Sequence, residues 1–132
     1  MSHFGNVPAD VLVGTVEKLV SKMDEAELAA AFSDELSTMP PEAAAAFIEA
    51  MFDAFRDRGE SSEDAAEGAG TAIASIQARE SAATKAFVDY ARQSPGLMKE
   101  ATTIFVERHP DLTGELPAVL RSAIAERLTH VT

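Results

Sequence analysis

PEAAAAFIEAMFDAFRDR, residues 41–58, is the stretch whose reading decides the fold. Successive residues of an α-helix advance by about 100° around its axis. On that wheel Ala43, Ala44, Phe47, Ile48, Met51, Phe52, Ala54 and Phe55 share one half of the circumference, whereas Glu42, Glu49, Asp53 and Asp57 hold the other. A strand is excluded, because Phe47 and Ile48 are adjacent apolar residues and Met51 and Phe52 repeat the pair. Gly59 follows where a left-handed residue commonly ends a helix, with Arg56 and Arg58 in the last turn to complement the dipole.

Upstream, Asp24 suits the N-cap of a second helix with Glu25 and Glu27 in its first turn, and Leu28, Phe32 and Leu36 form its apolar stripe. STMPP, residues 37–41, separates the two, so helices two and three are expected to form a hairpin. The first helix reads from about Pro8 to Met23, with Leu12, Val16, Leu19, Val20 and Met23 at spacings of three and four. Residues 1–6 read as a frayed terminus.

Downstream, Ser61 or Ser62 caps a fourth helix that the pattern carries continuously to about Gln93. Small residues dominate its first half, so Gly68 and Gly70 read as sites of close helix approach. Glu80 falls inside the apolar stripe of that continuous helix, where an unpaired carboxylate is costly. A break near Arg79–Ser81 is the favoured resolution, with pairing to Arg79, Lys85 or a distant base, or a buried polar site, as alternatives. Ser94 and Pro95 start a fifth helix that ends near His109, because Pro110 forces its predecessor out of helical geometry. Thr113 caps the last helix, with Pro117 in its first turn. The expectation is an all-α, single-domain bundle over residues 1–132, with five to six helices and mainly antiparallel neighbours.

The net charge is −11, and residues 24–67 account for all of it, with thirteen Asp or Glu against Arg56 and Arg58 alone. Such a segment favours solubility and attracts cationic partners, whereas direct nucleic-acid binding is disfavoured for want of clustered bases. With no cysteine there is no disulfide and no thiolate metal site. No basic region precedes an apolar run at the N-terminus, and no stretch approaches the roughly 20 apolar residues of a membrane span, so the expectation is a cytoplasmic protein.

No catalytic, cofactor or metal signature emerges. A calcium loop begun at Asp57 places Ser62 where the sharp-turn glycine belongs and Gly68 where the bidentate glutamate belongs. In GAGTAIA, residues 68–74, Ile73 replaces the third glycine of a dinucleotide loop. Of the histidines, His3 and His130 are terminal, and His109 stands between Glu107 and Asp111 at a helix end, where the dipole explains it. Glu80 and His109 are the candidates for a buried polar site.

The functional expectation is an interaction or regulatory protein that presents the carboxylate-rich face of residues 24–67, with Glu42, Glu49, Asp53 and Asp57 at its centre, to a basic protein partner. The alternatives are a bundle that binds a small apolar ligand between the third and fourth helices, and a nucleic-acid mimic. Homodimerisation through an exposed apolar helix face is compatible with each.

Overall fold

The computed structural model describes the backbone of residues 7–131 and the side chains of residues 7–129. The frayed terminus expected at residues 1–6, His3, and the side chain of His130 lie outside the described residues. The class is all-α: eight α-helices are joined by loops and two short 3-10 segments, with no strand among the described residues. The helices are α1 (Ala9–Lys22), α2 (Glu25–Glu35), α3 (Pro41–Asp57), α4 (Ser62–Ala69), α5 (Ile73–Gln77), α6 (Ser81–Ala91), α7 (Leu97–Arg108) and α8 (Ala118–Val131). The 3-10 segments are Leu36–Thr38 and Pro110–Glu115.

The expected count of five to six helices is too low, and the correction falls mainly on residues 61–93. Either one continuous helix or, as the favoured resolution, two divided near Arg79–Ser81 was expected there; three short ones form, with one of the two breaks at Arg79. Gly70 adopts φ 77°, and the Gly70 and Thr71 N–H groups donate to the Glu67 and Ala66 carbonyls. Arg79 adopts φ 60°, with Arg79 N–H donating to Ile76 and Glu80 N–H to Ser75. Both ends repeat the Schellman pattern at Gly59, whose N–H donates to Arg56 while that of Glu60 donates to Phe55. In each case a left-handed residue satisfies two carbonyls that the helix would leave orphaned, and the chain turns.

Two later boundaries also move. Ser94 and Pro95 do not open a helix; they begin a turn in which the Leu97 N–H donates to the Ser94 carbonyl and Gly96 takes φ 78° and ψ −3°. That geometry suits a type II turn with proline before glycine, so α7 starts at Leu97. Thr113 does not cap the last helix, because it is buried within the 3-10 segment. The first intrahelical bond of α8 runs instead from the Arg121 N–H to the Pro117 carbonyl.

Helix α3 is central. Ala43, Ala44, Phe47, Ile48, Ala50, Met51, Phe52, Ala54 and Phe55 are all buried, an arc of roughly 200° on the wheel. Its closest neighbour is α7, which also receives α1. The expected α2–α3 hairpin is not the packing adopted: α2 lies chiefly against α6 and meets α3 where the Phe32 and Phe47 rings stack at 3.8 Å. Phe47 also meets Phe105 edge-on at 5.8 Å, while Phe52 and Phe55 lie 4.8 and 5.7 Å from Phe87. Three phenylalanines of α3 thus gather one phenylalanine ring each from α2, α6 and α7. Gly14, in the middle of α1, has no such packing role: a Cβ placed there would meet nothing within 4 Å, although glycine costs a helix interior about 1 kcal/mol relative to alanine.

Two stability measurements follow. Phe47→Ala removes a fully buried ring with two aromatic partners, and is expected to cost about 3–5 kcal/mol in urea unfolding. Arg79→Gly relieves a left-handed side chain and is expected to gain up to about 1 kcal/mol. A loss of stability in that variant would show that Arg79 is held by contacts worth more than its backbone strain.

Candidate functional site

The thirteen acids of residues 24–67 separate into two groups once the helices pack. One group serves the fold. Asp24 caps α2 by accepting from the Ala26 N–H at 3.0 Å. Glu35 accepts from the Ala118 N–H at 3.3 Å, which places a carboxylate at the positive end of α8. Glu60 accepts from the Tyr90 hydroxyl. The Glu25 carboxylate oxygens, in the first turn of α2, are covered and accept no hydrogen bond from the described residues.

Asp53 belongs to the same group. Its side chain is only 19% exposed, one oxygen accepting from Arg56 and the other from Arg108 at the end of α7. Arg56 in turn donates to Ser62 at the start of α4, at 2.9 Å. One carboxylate therefore fastens α3 to α7 and, through Arg56, to α4.

Asp57 lies beside a second fastening, made by Arg58. Arg58 donates to the Ala54 carbonyl and the Pro95 carbonyl, each at 3.1 Å, and pairs with Glu100. Burial pushes the Glu100 carboxyl above the usual carboxylate range; the neighbouring Asp57 carboxylate adds to the rise, and Arg58 opposes it.

The second group is left to solvent. Glu42 and Glu49 of α3 are exposed, as are Glu27 and Asp34 of α2 and Glu63, Asp64 and Glu67 of α4. Neither Glu42 nor Glu49 has an ion-pair partner among the described residues. The four α3 acids singled out from the sequence therefore share a helix but differ in condition: Glu42 and Glu49 face water, Asp53 is neutralised, and Asp57 is exposed beside Glu100.

Glu80 and His109 do not form the buried polar site considered for them. Glu80 is exposed at the N-cap of α6, because the chain breaks at Arg79 and releases it from the apolar stripe. His109 is half-buried at the C-terminus of α7, its N–H bonded to the Phe105 carbonyl at 2.8 Å and its ring 6.1 Å from that of Phe105. Among the described residues no group of three or more His, Asp or Glu side chains is disposed to hold a metal ion, and no helix is long and apolar enough to cross a membrane.

The residues that sequence reasoning missed are Tyr90, Arg108 and Glu100. Tyr90 lies across Gly68, where a Cβ would come within 2.4 Å of its ring, and stacks on Phe55 at 5.5 Å. The hydrogen bond to Glu60, then burial, raise its hydroxyl pKa. A tyrosine three residues after the core Phe87 gives no hint of which glycine it covers, since the partner is 22 positions away.

A raised carboxyl pKa means that folding disfavours the charged form of Glu100. Its contribution to stability is fully present below the unfolded carboxylate pKa, about 4.3, and is lost as pH rises through the higher folded value. Glu100→Gln removes that titration. The stability of the variant relative to the parent is expected to rise between about pH 4 and neutrality, read by urea unfolding at each pH. A difference that stays constant with pH would remove Glu100 from this role. No protein-family model matches the chain, and no curated protein or solved structure shows significant similarity to it.

Proposed function

We propose that the protein is a small helical interaction module that offers the exposed carboxylates of α2, α3 and α4 to a basic protein partner. The observation that carries this reading is the presence of Glu42 and Glu49 on α3, exposed and without ion-pair partners among the described residues, within a segment holding the entire net charge of −11. Dense like charge costs stability through self-repulsion. Capping, inter-helix ties and the positive ends of α3 and α4 account for Asp24, Glu35, Asp53, Glu60, Glu42, Glu63 and Asp64, but not for Glu49 or Glu67. A cationic partner would relieve that repulsion and gain on-rate from the field.

The same geometry weighs against the other two readings. Between α3 and α4 the space is occupied: Ala65 and Ala66 are buried, and the Tyr90 ring fills the place of a Gly68 side chain. A nucleic-acid mimic needs a sustained row of phosphate-like charges, and two guanidinium groups neutralise Asp53 in the middle of the α3 row.

Affinity capture from extracts of the source cell, with protein identification by mass spectrometry, tests the reading. The parent chain is expected to retain basic proteins at low salt and release them at high salt. The combined substitution Glu42→Lys, Glu49→Lys and Glu67→Lys, at exposed positions that leave the core untouched, is expected to abolish retention. Recovery of the same proteins by parent and variant would sink the proposal.

A further inference from the structure

An open groove of about 740 Å³ runs between α1 and α8. Val11 and Gly14 of α1 and Ala123 of α8 line it, and Asp10, Lys18, Glu126 and Arg127 stand around them. We propose that this groove is the contact surface for a second copy of the chain, with α1 crossing its counterpart antiparallel at Gly14.

Four features of the surface converge on that occupant. Gly14 is an unfavourable residue for a helix interior, and no described atom would meet its Cβ; a glycine at a helix crossing lets a second backbone come close. Val11 is 40% exposed and Val119 is 49% exposed, and these are the exposed large hydrophobic residues among those described. Val11 lies in the groove, and Val119 shares a helical row with Ala123 and Glu126, four and seven residues on.

The third feature is charge balance. Two acids and two bases surround the groove, so a second copy meets no net repulsion here although each chain carries −11. The groove of about 540 Å³ bordered by α1, α3 and α7 presents Glu17, Asp57, Glu100 and Glu107 against Lys99 alone, and would repel a copy.

The fourth is antisymmetry. Asp10 and Lys18 are each four residues from Gly14, about 6 Å along the axis in opposite directions. A two-fold axis through Gly14 therefore sets Asp10 against Lys18 of the second copy and, reciprocally, Lys18 against its Asp10. Self-complementarity of this kind is what a closed two-fold contact requires. This contact uses none of the residues assigned to the basic partner.

Analytical ultracentrifugation of the full chain from micromolar to millimolar concentration, at moderate salt, supplies the test. A reversible monomer–dimer equilibrium is expected. Lys18→Glu sets acid against acid at both ends of the crossing and is expected to weaken the dimer by about tenfold or more. Asp10→Lys combined with Lys18→Glu exchanges the charges and is expected to restore most of the affinity, a rescue that mere damage to α1 would not show. Gly14→Leu, which the monomer accommodates in open space, is expected to leave helix content intact by circular dichroism and abolish the dimer. Monomer mass at every concentration would assign the groove to another occupant and overturn the proposal. So would a dimer that is indifferent to Lys18→Glu and Gly14→Leu.

Discussion

The structure depends on the burial of α3. Its apolar arc carries Phe47, Phe52 and Phe55, and each ring is met by a phenylalanine of another helix: Phe32 and Phe105 on the first, Phe87 on the other two. Buried aromatic rings bring large apolar areas together and favour offset or edge-on contacts, which gives the packing direction as well as energy. Helices of 8, 5 and 11 residues follow α3. Helices of that length are marginal by themselves in water, so their stability comes from packing on α2, on α3 and on one another.

The polar side of α3 serves the same end. An acidic helix face opposite a core is commonly pictured as a solvated surface, and for Glu42 and Glu49 that picture holds. Asp53 departs from it, because α7 approaches closely enough for Arg108 to join Arg56 on one carboxylate. Arg58 plays the complementary part at the end of α3, where one guanidinium reaches the Ala54 and Pro95 carbonyls and Glu100. These groups are partly exposed, so solvent screens each pair and its contribution is modest. Their effect is to orient α7 on α3 rather than to hold the fold against unfolding.

The charge left over after these uses is what gives the surface its character. Acids remain exposed on α2, α3 and α4, whereas the α1–α8 side is balanced. The two surfaces differ in kind: one concentrates a single sign, which the proposed basic partner would use at a distance, and the other sets small and apolar residues among charges of both signs, which the proposed contact between two copies would use. A chain of this size can carry both because the core is assembled around α3, which leaves α1 and α8 covered on one side only.

Helix periodicity and cap chemistry are local properties, and the sequence by itself determined them: the all-α class, the span of α3 to within a residue, the glycine stop at Gly59, the Asp24 cap and the placement of the whole net charge. The three-way division of residues 61–93 was only half legible. Gly70 could signal a stop or a close approach, and the arginine at 79 gives no sign of a left-handed backbone, since few side chains adopt it. Release of Glu80 to solvent is a consequence of that break. Only the tertiary structure decided which acids are free, because the inter-helix partners of Asp53, Glu60 and Glu35 lie 55, 30 and 83 residues away. Ion pairing depends on distance in space, and sequence separation says nothing about it until the helices have packed.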